Sequence, residues 1–405
     1  MSYLGHELTG IKDYLAEASS LYRPRLGRED VDLVDAVGRY LASSIKAVLD
    51  VPPCDKPVLD GYAVRYQDVM YASPSTPVKL RLLRPGDSVS PGTAVPVEMK
   101  DCIPEGADTV VPLEWCREVN GSLLVYRAPK PGYAVARRGE DVRAGSELLS
   151  EGTRINEAHV ALLASQGIAE ATVWEELKAA VLCIGDELLE PGEEWRPGMV
   201  YNSTCRLVAA RLRRIGVEVT TVKRLPDNPA RVYQEYEELT ATNHLVLSCG
   251  GTGPGKGDVA ATSLRRLAEE RGWRFWHGFR MRPGRAAAIA VSRDRVVAAL
   301  SGLPLSAWSQ LYMLIEPLIM TAYGAAWPPS PVVRLPTLKP IASTPGITEL
   351  YYATLRGGSL DPIQRRGAGK ASLLATADAL IVVGEDEVSK KPGDVVEAHL
   401  IHAVR

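Results

Sequence analysis

The stretch His244-Leu-Val-Leu-Ser-Cys-Gly-Gly-Thr-Gly-Pro-Gly-Lys-Gly-Asp258 decides the fold class of this chain. An apolar run of strand length ends at Cys249, and five glycines follow within the eight positions 250–257. A helical pattern then extends from Val259 to Arg271. A strand, a glycine-rich turn and a helix in this order are typical of a parallel α/β sheet, whose ligands bind beyond the carboxyl ends of the strands.

The sequence on either side repeats this alternation of strand and helix. The supporting segments are the apolar run AAVLCIG at 179–185, the amphipathic stretch 203–215, the β-branched run VEVTTV at 217–222, and a helix that Asn228-Pro229 begins and that continues to Leu239. Strands and helices that alternate at this spacing predict a doubly wound parallel sheet. We assign it to residues 177–326.

Three further regions flank this central domain. Ile11, Tyr14 and Leu15 have helical spacing, and so do Val31, Val34 and Tyr40/Leu41, which predicts an N-terminal helical segment. A further helix is expected from Asn156, a favourable N-cap, to Gly167, a favourable stop. We therefore join residues 1–47 and 142–176 into one helical, elongated domain.

Residues 48–141 have the pattern of an inserted β-rich domain. Pro-Gly pairs at 85–86, 91–92 and 131–132 separate short β-branched runs, and Asn120-Gly121 predicts a hairpin. After the proline-rich linker 327–331, the runs ALIVV and VVEAHLI predict a small C-terminal domain, β-barrel-like, over residues 327–405. The expected fold class is thus a multidomain α/β plus β protein.

Composition excludes several classes of function. With 405 residues, 46% hydrophobic and 24% charged, the chain has the balance of a globular protein with more than one core. Lys and Arg number 47 against 49 Asp and Glu, so no overall basic field favours nucleic acid as a partner. The longest apolar run, 305–326, contains Glu316 and Pro317, which favours a buried helix over a membrane span.

The cysteine pattern suggests a reducing compartment. The six cysteines include no C-x-x-C pair, which argues against a structural zinc site and against a disulfide framework. The first ten residues, MSYLGHELTG, lack the basic start and apolar core of a secretory signal. We therefore expect a cytoplasmic protein.

The residues with the clearest chemical role follow the strands of the α/β domain. The glycine-rich loop would let backbone N–H groups approach an anion, although it is not a Walker A sequence and could be only a tight turn. Asp186, Glu187, Asp227 and Asp258 follow three strands, where carboxylates together would suit Mg²⁺ and individually could be helix caps or solvated acids.

A cluster of arginines follows the next strand. Arg280, Arg282 and Arg285 lie in FRMRPGRAAAIA and could hold an oxyanion or phosphate through paired N–H donors. The alternative is a solvated basic loop.

Six ordered motifs resemble one known family over almost the whole chain. They are P-C-D-K-P-V-L-D-G-Y-A-V-R at 53–65, R-R-G-E-D at 137–141, G-D-E-L at 185–188, S-C-G-G at 248–251 with Asp258, R-P-G-R at 282–285 and G-L-P at 302–304. In order and spacing they are similar to the MoeA family, the molybdopterin molybdenumtransferases, called gephyrin E domains in animals.

This resemblance implies an activity and a site. It implies a homodimer of four-domain subunits that inserts molybdate or tungstate into adenylylated molybdopterin, releases AMP, uses Mg²⁺, and has possible contact with molybdopterin adenylyltransferase. The implied catalytic carboxylates are Asp60, Asp141, Glu187, Asp227 and Asp258, of which the last three would bind the metal. The implied substrate-binding residues are Ser248, Gly250, Gly251, Gly253, Arg282, Arg285 and Pro304. Asp60 and Asp141 would face the glycine-rich edge of the other subunit's α/β domain.

Four segments depart from the family pattern. Lys56-Pro57 replaces Asn-Ser, Met99–Ile103 replaces T-G-A-P with one residue fewer, Leu305-Ser-Ala307 replaces Gly-Asn-Pro after G-L-P, and Gly367-Ala368 replaces Gly-Ser. Arg282 and Arg285 stand where the family has the lysines of K-P-G-K. Two alternatives therefore stay open: a non-catalytic or specialised paralogue that binds the pterin nucleotide, and a molybdopterin adenylyltransferase.

Overall fold

The chain divides into two compact units in a computed structural model that describes residues 2–3, 6–252, 258–363 and 370–401. The first unit comprises residues 1–43, 151–156 and 170–405, and the second comprises 44–150 and 157–169. In the described part of the chain, no helix has the length and apolarity needed to cross a membrane.

The helices in chain order are α1 (Ile11–Leu21), α2 (Tyr66–Val69), α3 (Glu157–Ser165), α4 (Thr204–Arg214), α5 (Pro229–Thr240), α6 (Val259–Arg271), α7 (Pro304–Gln310), α8 (Glu316–Ala322) and α9 (Ala371–Thr376). A short 3-10 helix spans Leu113–Trp115, and a π-helical turn, Leu311–Ile315, joins α7 to α8. The predicted helices at 203–215, 228–239 and 259–271 are confirmed, as is the buried helix within 305–326.

The first strands in chain order are β1 (Ser2–Tyr3), β2 (His6–Glu7), β3 (Arg28–Asp32), β4 (Ile45–Lys46), β5 (Lys56–Pro57), β6 (Gly61–Val64), β7 (Val78–Leu82), β8 (Thr93–Val97), β9 (Thr109–Pro112), β10 (Cys116–Val119), β11 (Ser122–Val125), β12 (Val135–Ala136), β13 (Glu147–Leu149) and β14 (Glu170–Trp174). The remaining strands are β15 (Leu177–Ile184), β16 (Leu188–Leu189), β17 (Val200–Tyr201), β18 (Val217–Leu225), β19 (Leu245–Cys249), β20 (Arg274–His277), β21 (Met281–Arg282), β22 (Ala288–Val291), β23 (Val296–Leu300), β24 (Val332–Pro336), β25 (Thr348–Arg356), β26 (Ser359–Pro362), β27 (Ala379–Val383) and β28 (Val395–Leu400).

The central sheet of the first unit has the strand order β18-β15-β19-β23-β22-β20. The first four strands are parallel, as the sequence predicts. The strand β22 runs antiparallel to both of its neighbours, β23 and the edge strand β20. The turn from Ser292 to Arg295 connects β22 to β23 and is too short for a parallel crossover. The sheet is therefore mixed rather than purely parallel.

Both faces of this sheet are covered by helices. Along β15, Ala179, Val181 and Cys183 pack in the core that contains α4 and α7, whereas the alternate residues Ala180, Leu182 and Ile184 pack in the core that contains α5 and α6. Successive side chains of a strand point to opposite faces, so an unbroken apolar run is what a strand buried on both sides requires. The doubly wound architecture is confirmed.

The C-terminal strands of the first unit form a second sheet in the order β21-β25-β27-β28-β24, with β26 paired to β25. A bridge between Thr337 and Leu360 brings the end of β24 to β26, so the sheet curls toward closure. This curvature agrees with the expected β-barrel-like domain. The strand β21 precedes the R-P-G-R loop and joins it to this sheet.

The second unit is built mainly from short strands. Its largest sheet has the order β10-β11-β7-β8-β6-β9. The predicted hairpin is confirmed: β10 and β11 are antiparallel, and Asn120 and Gly121 both have positive φ, at 46° and 73°.

The N-terminal segment differs from its prediction in two places. The second predicted helix, around Val31 and Val34, is wrong because residues 28–32 form β3, which pairs antiparallel with β14. Helix α3 belongs to the second unit rather than to the N-terminal segment. There the carboxamide oxygen of Gln166, which follows α3, accepts hydrogen bonds from the backbone N–H groups of Val48 and Leu49, both at 2.9 Å.

The cysteine prediction also needs correction. Cys54 and Cys102, both in the second unit, form a disulfide that closes a sequence separation of 48 residues. The other four cysteines, Cys116, Cys183, Cys205 and Cys249, are free thiols. The sequence pattern did not predict this bond because the spacing between the two cysteines matches no known disulfide or metal-binding motif.

Candidate functional site

A cavity of about 790 Å³ lies at the carboxyl ends of three parallel strands in the first unit. Its wall includes Ile184 at the end of β15, Cys249 at the end of β19 and Ser301 just after β23. The chain passes from β15 to β18 on one side and places β19 on the other, so this is the switch point where open α/β sheets bind ligands. Burial raises the pKa of the Cys205 thiol, so this part of the wall is neutral.

The first glycines of the glycine-rich loop run along this cavity. Gly250 has a φ of 101°, and a Cβ atom there would lie 2.2 Å from the carbonyl oxygen of Ile184. Gly251 has a φ of 65°, and its Cβ atom would lie 3.0 Å from a methyl group of Val259. Only glycine fits such positions, which leave the backbone exposed to a ligand. The predicted binding residue Gly253 lies outside the described residues.

A second loop, Ser301–Pro304, lines the cavity beside Gly250 and is held by buried side chains. The Gln310 carboxamide accepts a hydrogen bond from the Ser301 N–H at 2.7 Å and donates one to the Gly284 carbonyl at 2.9 Å. The Thr204 hydroxyl donates to the Gly302 carbonyl at 2.7 Å. Gln310 thereby ties the loop containing Pro304 to the R-P-G-R loop.

Two of the predicted carboxylates, Glu187 and Asp227, line the cavity together. The two loops that hold them, after β15 and after β18, are joined by reciprocal contacts: the Asp186 N–H donates to the Asp227 carboxylate at 3.2 Å, and the Asp227 N–H donates to the Asp186 carboxylate at 3.4 Å.

The third predicted carboxylate, Asp258, has a different environment. It caps α6 by accepting a hydrogen bond from the Ala261 N–H at 3.3 Å, and its other oxygen lies 3.9 Å from Nε2 of His277. Burial raises its pKa to about 6. Asp258 is not among the residues that line the cavity.

These positions do not form the predicted three-carboxylate metal centre. Across residues 6–252, 258–363 and 370–401, no three His, Cys, Asp or Glu side chains are arranged so that they could hold a metal ion. Glu187 and Asp227 nevertheless supply two carboxylates to one cavity. Two carboxylates are what Mg²⁺ commonly uses when substrate phosphates and water complete its coordination.

Ser248 is not brought into the cavity. Its side chain is fully buried, and its hydroxyl lies 2.6 Å from the Tyr236 hydroxyl on α5. The reason is strand parity, because Val246 and Ser248 point to the α5 and α6 face while Leu247 and Cys249 point to the other.

The two predicted carboxylates of the second unit, Asp60 and Asp141, are both exposed there. Asp60 precedes β6 and accepts a hydrogen bond from the Met99 N–H at 2.9 Å. Asp141 is held through its own backbone, whose N–H donates to the Val51 carbonyl at 3.1 Å. Cys54–Cys102 and the hydrogen bond from the Ile103 N–H to the Asp55 carbonyl fasten the same two loops that carry Asp60 and Met99.

The three arginines of FRMRPGRAAAIA differ in their partners. Arg280 pairs with Glu385 at 2.9 Å and Asp13 at 3.4 Å. Arg282 pairs with Glu349 at 3.2 Å. Arg285 is half-buried, and its guanidinium has no ion-pair partner within the described ranges.

A second cavity, of about 500 Å³, has Arg282 in its wall. The remainder of its wall comes from the C-terminal sheet and includes Lys339, Glu349, Tyr351 and Ile363. Arg285 lines neither of these two cavities, so the two arginines do not share a cavity wall although only two residues lie between them in sequence. The sequence patterns did not assign a role to Gln310 or Glu349, although each is a polar residue in a largely apolar stretch.

Comparisons with known proteins agree with this arrangement. The MoeA N-terminal region (domain I and II) matches residues 10–167, the family described as "Probable molybdopterin binding domain" matches 180–321, and the MoeA C-terminal region (domain IV) matches 334–401. A molybdopterin molybdenumtransferase of Nostoc is 30% identical over 313 residues, covering 74% of this chain and 71% of that protein. One from Haemophilus influenzae is 28% identical and covers 91% and 92%.

Solved structures show the same fold. Two crystal structures of molybdopterin biosynthesis MoeA proteins from Pyrococcus horikoshii superpose with TM-scores of 0.77 and 0.75, at 24% and 27% identity. They cover 97% and 98% of this chain and all of the solved chains. The three matched regions, the full-length relatives and the cavity at the sheet switch point lead to one conclusion: the chain belongs to the MoeA family of molybdopterin molybdenumtransferases, enzymes of molybdenum cofactor biosynthesis.

Proposed function

We propose that this enzyme inserts molybdate or tungstate into adenylylated molybdopterin and releases AMP. The observation that carries the proposal is the cavity of about 790 Å³ at the switch point of the sheet, with glycine backbone on one wall and carboxylates on another. Its volume lies in the range of small-molecule and cofactor sites. A pterin nucleotide has flat heteroaromatic rings with hydrogen-bonding edges as well as phosphates, and this mixed wall would accommodate both.

The binding roles follow from the wall. The exposed backbone of Gly250 and Gly251 would approach the phosphate groups, and the neighbouring loop that ends at Pro304 would contact the substrate beside them. Gln310 and Thr204 are positioning residues because they hold the backbone of this second loop and do not themselves depend on the substrate.

Mg²⁺ fits two of the three carboxylates first expected to bind it. Glu187 and Asp227 would hold the ion together with substrate phosphate oxygens, while Asp258 acts as a helix cap with a largely protonated carboxyl below about pH 6. When bound, the ion supplies positive charge that offsets the phosphate charge.

Arg282, at the cavity of about 500 Å³, and Arg285, on the same loop, are the proposed contacts of the oxyanion, although they do not line one cavity in this structure. A tetrahedral dianion loses its hydration on binding, and arginine offers charged donors in a fixed fork in compensation. Arg285 has its full charge available within the described part of the structure, whereas Arg282 already shares its charge with Glu349.

The wider assembly remains part of the proposal. We expect a cytoplasmic homodimer, in which Asp60 and Asp141 of one subunit complete the site of the other, and delivery of substrate by molybdopterin adenylyltransferase. The exposure of both carboxylates in their own unit is compatible with contact to a second subunit. Analytical ultracentrifugation would report the dimer directly, and a monomer at micromolar concentration would contradict it.

The test of the function is release of AMP. Purified enzyme with adenylylated molybdopterin, Mg²⁺ and molybdate should release AMP, and omission of molybdate should abolish the release. Tight binding of the nucleotide without AMP release would identify a non-catalytic paralogue. Formation of adenylylated molybdopterin from ATP and molybdopterin would instead identify an adenylyltransferase.

Two matched variants test whether the reaction takes place in the cavity that Asp227 lines. Asp227→Asn should reduce AMP release strongly because it removes a carboxylate from the cavity wall. Asp186→Asn changes the neighbouring carboxylate, which does not line that cavity, and should have a much smaller effect. Equal losses in both variants would contradict the assigned role of Asp227.

A further inference from the structure

The Arg282–Glu349 pair is asymmetric in its exposure. The Glu349 side chain is 3% exposed, whereas the Arg282 side chain is 49% exposed and faces the cavity of about 500 Å³. The carboxylate is therefore a fixed, buried group, and the guanidinium is the member of the pair that a ligand can reach.

The backbone and one hydroxyl hold Glu349 in this place. Arg282 on β21 is the parallel partner of Glu349 on β25, so the register of the two strands places the pair side by side. The Thr344 hydroxyl donates a hydrogen bond to the Glu349 carboxylate at 2.8 Å. Glu349 cannot move away from Arg282 without breaking these contacts.

The rest of the cavity wall contributes a second cation in the same arrangement. Lys339 is about half exposed and its ammonium lies 2.5 Å from the Asp361 carboxylate, which is largely buried. Among the lining residues that the structure describes, each cation at this cavity therefore has a carboxylate behind it. An incoming oxyanion must compete with those carboxylates for the charge.

We propose that Glu349 is an internal counter-ion that sets the affinity of Arg282 for the oxyanion. It satisfies part of the guanidinium fork when no oxyanion is bound, and it opposes the charge of any oxyanion that binds. Glu349 thus lowers the affinity for molybdate or tungstate and eases release of the oxyanion from Arg282. This inference rests on the proposed role of Arg282 in oxyanion binding.

The experiment is a titration of molybdate, without any pterin nucleotide, into the purified full-length enzyme by calorimetry. Glu349→Gln keeps the size of the side chain and an oxygen for Thr344 but removes the charge. We expect it to bind molybdate roughly three- to thirtyfold more tightly than wild type, the range for restoring one partly exposed charged contact. Glu349→Asp withdraws the carboxylate by one methylene and should give a smaller gain.

A double-mutant cycle shows whether the effect passes through Arg282. In an Arg282→Ala background, Glu349→Gln should change molybdate affinity much less, because the charge that it releases is absent. Asp361→Asn is the matched control, since it removes a buried carboxylate from the other cation of the same cavity. It should leave the contribution of Arg282 intact.

The outcomes separate cleanly. Unchanged or weaker molybdate binding by both folded Glu349 variants, or an equal gain in the Arg282→Ala background, would overturn the proposal. If the Glu349→Gln variant gives a heat of molybdate binding and wild type gives none, the proposal is supported. If neither protein gives a heat of molybdate binding, the proposal is refuted. Because the titration needs no pterin nucleotide, the loss of AMP release in a separate assay would contradict the proposed function without affecting this result.

Discussion

Two sets of loops carry candidate site residues, those at the edge of the α/β sheet and those around Asp60. Different interactions hold the backbone of each set in place. At the sheet edge, buried side chains such as Gln310 and Thr204 hold the loop backbone. Around Asp60, in the second unit, a covalent bond between Cys54 and Cys102 does so, assisted by half-exposed ion pairs such as Arg137–Asp55. A large core can position a site from within, whereas a small β-rich unit gains more from a covalent link.

The largest effect is expected where the sheet edge depends on close backbone contact. Gly250→Ala places a Cβ atom 2.2 Å from the Ile184 carbonyl oxygen at a φ of 101°, so the free energy of unfolding should fall by about 3–4 kcal/mol and AMP release should be lost. Chemical denaturation measures the first and the AMP assay the second.

Gly272→Ala is the control for this substitution. Gly272 also has a positive φ, of 67°, but no atom lies within 4 Å of its added Cβ. Its cost should be about 1 kcal/mol. If the two glycine variants lose stability equally, close contact at Gly250 is not what fixes the loop.

The second largest effect tests the covalent link. Replacing both Cys54 and Cys102 by serine should lower the free energy of unfolding of the second unit by about 2–3 kcal/mol, because the bond closes a sequence separation of 48 residues. Denaturation with and without dithiothreitol measures it. The reductant should destabilise wild type and leave the double variant unchanged, and a wild type insensitive to reductant would show that the bond does not stabilise the unit.

A smaller effect is expected for the noncovalent tie at the sheet edge. Gln310→Leu keeps the approximate volume but leaves the Ser301 N–H and the Gly284 carbonyl without their partner, which should cost about 2 kcal/mol. Ser309→Ala is the matched control. Ser309 precedes Gln310 in α7, and its hydroxyl forms hydrogen bonds with the Leu305 carbonyl and the Tyr352 hydroxyl, which lie outside these two loops. We expect the KM for the pterin nucleotide to increase more in Gln310→Leu than in Ser309→Ala. Equal KM values in the two variants would contradict a positioning role for Gln310.

The sequence predicted the sheet and the loops at its edge because these depend on local patterns. Alternation of apolar runs, the N-cap at Asn228 and the glycines after Cys249 each have a direct structural meaning. It did not predict which side chains reach the cavity. Ser248 was misplaced because strand parity depends on which face each helix covers, and β3 was predicted as a helix because its partner β14 is distant in sequence.

The residues that sequence reasoning missed act at long range. Cys54 and Cys102 are separated by 48 residues, and Arg282 and Glu349 are joined only when β21 pairs with β25. The positions of Asp258 and Glu187 show the same limit. Both follow strands in the sequence, yet one caps a helix and the other lines the cavity.

The smallest expected effect concerns the pH dependence of Asp258. Its pKa is raised to about 6 by burial, so the folded state binds a proton more tightly than the unfolded state. Stability should therefore fall as the pH rises from about 4 to about 6, by about 1 kcal/mol after allowance for partial solvent exposure. Asp258→Asn keeps the helix cap and should flatten this pH dependence of stability, measured by thermal denaturation. If the variant shows the same pH dependence as wild type, other titrating groups cause it.

The pairing of β3 with β14 also bears on how the chain is made. Residues 28–32 leave the ribosome long before their partners at 170–174, with the whole second unit between them. An independently compact insertion shortens the distance that this ladder must close, because its own folding draws the two ends together. The ladder then joins the two segments of the first unit that flank the second unit in sequence, so the first unit keeps a continuous set of contacts across the insertion.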